Sequence, residues 1–214
     1  MLISDKYKFI FLKSYKTAST SAEIFFEQYC DPHLKENHFS TERIDKDYII
    51  GFRRESTRPV KLPTFFDHIP AYNLKKNIGK KFDDYFKFST IRNPFDMVVS
   101  SYFWHLNYYS NIKRHFFNEY IETEIYSLAK RTRDILYIDN QIIISDFIRF
   151  ENLINDLEKI RKKINLPEPI RKLEKYKSHN RPNNFHYRLF YDKKTRKLIE
   201  KYFEYYLNDF NYSF

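Results

Sequence analysis

Short apolar runs separated by polar loops mark out the strands of this chain. Such runs extend over Phe9–Leu12, Tyr48–Phe52 and Phe86–Ile91, and their aromatic and β-branched residues are typical of buried strands. A fourth strand is predicted from Asp146, running into a helix over Leu153–Ile164. Strands that alternate with helical segments indicate an α/β fold, here with a central, mostly parallel sheet flanked by helices.

Apolar residues at three- to four-residue spacing predict the longer helices. One extends over Pro94–Asn107 and another, amphipathic, over Asp192–Leu207. A further helix is predicted to finish within Leu74–Asp84, with Gly79 as a C-terminal stop. The segment Ser110–Asp139 has mixed helical character. No Pro-, Gly- or Ser-rich linker divides the sequence, so residues 1–214 are expected to form a single domain.

The segment after the first strand places a lysine among small hydroxyl residues, reading KSYKTASTS from Lys13 to Ser21. Helix-forming sequence, Ala22–Glu27, follows it. A strand, a small-residue loop and a helix N-terminus can together bind an anion, because backbone N–H groups converge and Lys16 adds a positive charge. The simpler alternative is a Ser/Thr turn that only caps the helix. The ATP-binding pattern GxxxxGK[ST] is absent, since the segment contains no glycine.

A second segment repeats this arrangement after the strand Phe86–Ile91. Arg92 follows the strand end, and Pro94 suits the first position of a helix. Ser100 lies eight residues after Arg92, two turns into that helix, so the guanidinium and the hydroxyl can reach one phosphate. Taken singly, Arg92 fits a surface ion pair and Ser100 a solvent-facing position.

The two segments together resemble the sulfotransferases that use 3′-phosphoadenosine-5′-phosphosulfate (PAPS). The stretch KTASTS resembles their 5′-phosphosulfate loop, especially in the glycosaminoglycan enzymes of the heparan sulfate 2-O type, and Arg92-Asn93-Pro94 with Ser100 resembles their 3′-phosphate motif. The resemblance implies the P-loop-like sulfotransferase fold and PAPS as co-substrate, without a metal. It assigns donor binding to both segments, namely to Lys16, Thr17, Ala18, Ser19, Thr20, Ser21, Arg92 and Ser100.

A histidine between the two segments is the candidate base. His68 precedes a helix begun near Pro70, and a neutral imidazole suits removal of a proton from an attacking hydroxyl. Family members often have their base in this interval, so the resemblance implies catalysis by Lys16 and His68; Asp67 and Glu55 are lower-ranked alternatives. The 2-O enzymes have an HxH pair here. Phe66 replaces the first histidine, which leaves the acceptor specificity open.

Two further stretches are weaker candidates. The sequence KSHNR from Lys177 resembles a loop of the 2-O enzymes that closes over the nucleotide, which implies donor contacts for Ser178 and Arg181. An exposed basic loop is the alternative. Three basic residues of the mixed segment are candidate acceptor contacts: Lys130, Arg131 and Arg133. The alternative is that they are ordinary surface residues.

Charge and composition limit the partners. The formal net charge of +10 favours an anionic partner, and 20% aromatic residues would suit nucleic-acid stacking. Aromatic residues and lysine are enriched throughout rather than on one stripe, which argues against a nucleic-acid face. No apolar run has the length of a signal peptide or a membrane span, and the single cysteine, Cys30, fits a reducing compartment. A cytoplasmic location without membrane association is therefore expected, and no Cys/His cluster has metal-ligand spacing.

The resemblance thus implies in-line sulfuryl transfer from PAPS to a hydroxyl or amine acceptor, with His68 as base and Lys16 stabilising the leaving phosphate. The resemblance implies a carbohydrate or other hydroxylated acceptor, anionic or not. The same chemistry on a small molecule or a protein tyrosine is one alternative. A basic nucleic-acid-binding protein without catalysis is an alternative of another class.

Overall fold

The computed structural model describes residues 1–31, 42–53, 63–108, 116–169 and 185–214. Its strands are β1 (Leu2–Ser4), β2 (Phe9–Leu12), β3 (Arg43–Ile44), β4 (Tyr48–Ile50), β5 (Phe86–Ile91), β6 (Tyr137–Ile138), β7 (Gln141–Ile142) and β8 (Asp146–Arg149). Its helices are α1 (Ser19–Glu27), α2 (Ala71–Ile78), α3 (Lys80–Asp84), α4 (Pro94–Tyr108), α5 (Phe117–Leu136), α6 (Leu153–Lys163), α7 (Lys193–Tyr202) and α8 (Glu204–Phe210). No helix in these ranges is both long and apolar enough to cross a membrane.

The central sheet has the strand order β3-β4-β1-β2-β5-β8. Strands β2, β5 and β8 are parallel neighbours, with Phe11 opposite Phe88 and Ile91 opposite Arg149. Strands β1, β3 and β4 extend the sheet with antiparallel pairs. The predicted α/β fold with a central sheet and flanking helices is confirmed, and the parallel part is the part that carries the candidate site.

Two apolar cores lie on opposite faces of this sheet because side chains along β2 alternate between them. Phe9 and Phe11 pack with apolar residues of α1 and α6 on one face. Ile10 and Leu12 pack with apolar residues of α2, α4, α5, α7 and α8 on the other. Both faces are covered, so β2 is buried along its whole length, which explains its uninterrupted apolar sequence.

Several boundaries differ from the sequence predictions. Strand β1 was not predicted, because three residues at a chain end give little periodic signal. Gly79, at φ 56°, ends α2 as predicted, but a second helix, α3, follows it directly. The predicted helix Asp192–Leu207 is two helices that meet at Phe203, and the mixed segment contains one continuous helix, α5.

Parallel topology places the carboxyl ends of β2 and β5 at one edge of the sheet. The loop before α1 follows β2 there, and Arg92 follows β5. This edge is where open α/β sheets bind ligands.

Candidate active site

The loop between β2 and α1 has an unusual backbone. Lys16 and Ala18 adopt positive φ values of 56° and 59°, on either side of Thr17. Left-handed backbone at non-glycine residues costs on the order of 1–3 kcal/mol each and concentrates at functional sites. Left-handed residues in a tight turn can direct successive N–H groups to one point and form an anion-binding concavity. The loop therefore has a backbone suited to an anion although it contains no glycine.

Hydroxyl groups fix this loop to the strands beneath it. Thr17 Oγ1 lies 2.6 Å from Thr90 Oγ1, and Ser14 Oγ lies 2.8 Å from Ser89 Oγ. Ser19 Oγ donates to the carbonyl of Ser14 at 2.6 Å. The hydroxyls of Thr17 and Ser19 therefore serve the fold, and what these two residues can offer an anion is their backbone N–H groups. The Thr20 side chain is only partly buried, at the N-terminus of α1.

Arg92 connects the second corner to the first. Its Nη1 donates to the carbonyl of Lys16 at 3.1 Å, and its Nε donates to Asp96 Oδ2 at 2.8 Å. Its guanidinium also lies 3.8 Å from the centre of the Phe150 ring, and its Nη2 lies 2.7 Å from Asp96 Oδ2. At least three of the five N–H donors of the guanidinium are thus directed at protein groups. Arg92 is buried and holds the lysine loop against the β5–α4 corner.

The side chain of Lys16 extends toward α4. Its Nζ lies 5.3 Å from the ring centre of Trp104. Ser100 is four residues before Trp104 in the same helix, so the two side chains lie on one face, one turn apart. The structure therefore brings together Lys16, the β5–α4 corner and the face of α4 that carries Ser100.

His68 also lies against the lysine loop. Its Nδ1 is 2.9 Å from the carbonyl oxygen of Lys13, and its ring stacks on that of Tyr15 with centres 3.9 Å apart and an angle of 15°. Because a carbonyl only accepts, a neutral imidazole here has its proton on Nδ1 and its lone pair on Nε2. Burial lowers the pKa of His68 to about 4, although Asp67 opposes this shift. The imidazole is therefore neutral near pH 7, with an unprotonated Nε2.

A buried network of charges lies beneath this histidine. Lys13 Nζ contacts Glu23 Oε2 at 2.8 Å and Asp67 Oδ2 at 2.9 Å, and Arg53 Nε contacts Glu23 Oε2 at 2.6 Å. Burial alone would raise the pKa of Glu23, but Arg53, Lys13 and the Met1 amino group hold it well below its ordinary value. Asp67, the alternative base, is thus already bound to Lys13, and its Oδ1 is buried without a hydrogen-bond partner among the described residues.

Helix α5 provides another wall near the histidine. The guanidinium of Arg131 lies 5.1 Å from the ring centre of Tyr15, the ring on which His68 stacks. Helix α5 also packs against α2, the helix that begins just after His68. One of the three candidate acceptor contacts on this helix is therefore close to the candidate base.

Comparison with known proteins gives an archaeal relative. No protein-family model matches the sequence. An uncharacterized protein of Archaeoglobus fulgidus is 35% identical over 105 residues, which cover 48% of this chain and 87% of the archaeal protein. The chain belongs to the family of this archaeal protein. A solved sulfotransferase structure from Alicyclobacillus acidocaldarius is similar over 97% of this chain and 96% of its own, with 13% identity and a TM-score of 0.46. That degree of similarity says nothing about activity.

In this family member, some predicted contacts lie outside the described residues: Ser178, Arg181 and Glu55. Other residues of the site were not predicted to act there. Tyr15 and Lys13 were treated as part of a loop, and only the tertiary structure shows that they contact His68. Asp96, an acidic residue in the first turn of α4, was not assigned to the site, yet its carboxylate binds Arg92. Within the described ranges, no group of three or more His, Cys, Asp or Glu side chains is placed to hold a metal ion.

Proposed function

We propose that this protein transfers a sulfuryl group from PAPS to a hydroxyl or amine of an acceptor. The observation that carries the proposal is the convergence of two strand-to-helix corners, joined by the hydrogen bond from Arg92 Nη1 to the Lys16 carbonyl. A nucleotide with phosphates at both its 3′ and 5′ positions needs two anion sites on neighbouring strands. The parallel pair β2–β5 ends in two such corners on neighbouring strands, which supports the proposal.

The first corner is the proposed site of the 5′-phosphate. Backbone N–H groups from Thr17 to Thr20 and the hydroxyls of Thr20 and Ser21 hold its oxygens. The Lys16 ammonium neutralises the charge that grows on the phosphate oxygen as the sulfuryl group leaves. The left-handed backbone at Lys16 and Ala18 supports this assignment, because it is maintained at an energetic cost.

The second corner is the proposed site of the 3′-phosphate, held by Arg92 and Ser100. The Arg92 guanidinium, whose charge Asp96 already partly neutralises, and the Ser100 hydroxyl provide the proposed contact. Arg92 then has two roles, since it also fixes the position of Lys16. An Arg92 variant is therefore expected to weaken donor binding and to lower turnover as well.

His68 is the proposed general base. Its Nε2 accepts the proton of the acceptor, while the Lys13 carbonyl and the Tyr15 ring hold the imidazole in place. The proposed acceptor is a carbohydrate, on the strength of the resemblance of KTASTS to the glycosaminoglycan enzymes. A screen of saccharides, phenols and tyrosyl peptides with PAPS labelled in its sulfuryl group tests that choice.

Thermal unfolding with product nucleotides tests the donor assignment without knowledge of the acceptor. At a concentration of one hundred times its dissociation constant, 3′-phosphoadenosine-5′-phosphate should raise Tm by about 5–10 °C. AMP, which lacks the 3′-phosphate, should have little effect. Lys130→Ala, which removes an ammonium paired with Asp134 on α5, should respond like the wild type, whereas Arg92→Ala should lose most of the response. Equal stabilisation by the two nucleotides, or none by either, contradicts the proposal.

A further inference from the structure

Arg131 differs from the basic residues beside it on α5. Lys130 Nζ pairs with Asp134 Oδ2 at 2.8 Å, and Arg133 Nη2 donates to Asn140 Oδ1 at 2.9 Å while its guanidinium lies over the rings of Tyr137 and Tyr205. Arg131 is exposed and donates from Nε to the Ser127 carbonyl at 3.2 Å. Within the described residues it forms no ion pair with a carboxylate, so its charge is available to a ligand.

The position of this charge relates it to the candidate base. The Tyr15 ring centre lies 3.9 Å from that of His68 and 5.1 Å from the Arg131 guanidinium. Because both distances start at one point, the guanidinium lies at most about 9 Å from the imidazole centre. Asp67 and Asp134, the acidic groups that also act on Tyr15, are bound to Lys13 and Lys130. A ligand whose hydroxyl reaches His68 therefore brings its neighbouring substituents close to an exposed positive charge.

We propose that Arg131 determines acceptor specificity by binding a carboxylate or sulfate group on the acceptor, a few bonds from the hydroxyl that faces His68. This rests on the proposed function and adds the chemical class of the acceptor, which is anionic. A guanidinium fork binds a carboxylate or sulfate through two parallel hydrogen bonds, and such charged contacts favour the anionic ligand about 10- to 100-fold. The net charge of +10 is consistent with an anionic partner.

Two probes that differ by one charged group test this specificity. p-Nitrophenyl β-D-glucuronide and p-nitrophenyl β-D-glucoside have the same ring and aglycone, and only the first has a carboxylate. Their binding to protein saturated with 3′-phosphoadenosine-5′-phosphate is measured by calorimetry at low salt. We expect the wild type to prefer the glucuronide about tenfold or more. Arg131→Ala should abolish the preference without weakening glucoside binding, and Arg131→Lys should retain part of it.

Lys130→Ala is the matched control, since it removes a neighbouring charge that is already paired, and it should keep the preference. A wild type without preference for the glucuronide, including one that binds neither probe, overturns the inference. A preference that survives in Arg131→Ala also overturns it. So does an equal loss of affinity for both sugars in that variant, which would mean that Arg131 only holds Tyr15 in position. The nucleotide response of Tm separates the two proposals, because failure of the donor assignment abolishes it whereas Arg131→Ala should leave it intact.

Discussion

The proton of His68 sits on Nδ1 because its partner, the Lys13 carbonyl, can only accept a hydrogen bond. Three of the residues around this point have left-handed backbone: Lys16, Ala18 and His68. Such conformations persist only where the surrounding structure enforces them, and here hydroxyl pairs, an arginine and a stacked ring do so. At the residue scale, the candidate site is defined by the backbone as much as by side chains.

Substitution of His68 by Asn tests its role as base. The Asn amide nitrogen can still donate to the Lys13 carbonyl, and Asn tolerates the positive φ of 58° at this position. No group then accepts the proton, so turnover of whichever acceptor the screen identifies should fall about 10²- to 10⁴-fold. Tm should change little. Near wild-type turnover in His68→Asn would mean that another group is the base, with Asp67 the first to examine.

The pH dependence of the reaction provides a second test. Burial lowers the pKa of His68 to about 4, so Nε2 stays unprotonated through pH 6.5, where an exposed histidine would titrate. The logarithm of kcat/KM should therefore be level from pH 8 to about 5 and should fall only toward pH 4. An inflection near pH 6.5 would show that the imidazole is solvated in the working enzyme. His68→Asn, compared over the same range, should lack the His68-dependent fall.

Helix α1 combines an N-terminus at the proposed anion site with two buried carboxylates one turn apart, Glu23 and Glu27. Glu23 contacts Lys13, Arg53 and the Met1 amino group, whereas Glu27 contacts only Arg53 of these three cations. Burial raises the pKa of Glu27 to about 7; the neighbouring Glu23 adds to this, and Arg53 only partly opposes it. The pKa values of these two carboxylates in one helix are thus shifted in opposite directions.

Glu27→Gln should show this difference in a pH series. A folded-state pKa near 7, against 4.5 unfolded, stabilises the protein below pH 4.5, and this contribution is lost as pH rises through 7. The loss is on the order of 3 kcal/mol. Glu27→Gln should therefore match the wild type in Tm at pH 5 and exceed it at pH 8. Glu23→Gln is the control with the opposite sign, destabilised at both. A Glu27→Gln protein that loses more stability at pH 8 than at pH 5 would show that folding lowers the pKa of Glu27 instead of raising it.

Elements with a strong local signal were predictable from sequence. Strand β2 is buried on both faces and has an uninterrupted apolar sequence. Helix α4 begins at Pro94, the predicted first residue, and ends one residue beyond the predicted Asn107. The break at Phe203 was not predictable, because apolar spacing continues across it from α7 into α8. The loop motif indicated an anion site, but its left-handed residues are lysine and alanine, which give no sign of that backbone in sequence. Contacts such as Tyr15 with His68 depend on tertiary packing over 53 residues of sequence and have no local signal.

At the scale of the whole molecule, the C-terminal segment contacts residues at the carboxyl ends of β5 and β8 and at the start of α4. Asn93 Nδ2 donates to the Ser213 carbonyl at 2.8 Å, and Arg149 Nη2 donates to the Phe210 carbonyl at 3.0 Å. The ring of Phe214 packs 4.9 Å from that of Phe95, at the start of α4. Donor binding is therefore expected to depend on C-terminal residues, which are far in sequence from the two corners.

Tyr206 is a C-terminal residue that contacts Arg92 directly, because its hydroxyl accepts a hydrogen bond from the backbone N–H of Arg92 at 3.2 Å. Tyr206→Phe would leave that buried N–H without its partner, at a cost of about 1–3 kcal/mol. Since Arg92 joins the two corners, the affinity for 3′-phosphoadenosine-5′-phosphate should fall several-fold, measured by calorimetry on folded protein. Tyr205→Phe is the matched control: its hydroxyl donates to the Ala129 carbonyl at 2.9 Å, away from Arg92, so nucleotide affinity should be retained. If both variants lost affinity equally, the effect would follow from general destabilisation of α8, and the position of Arg92 would not depend on Tyr206.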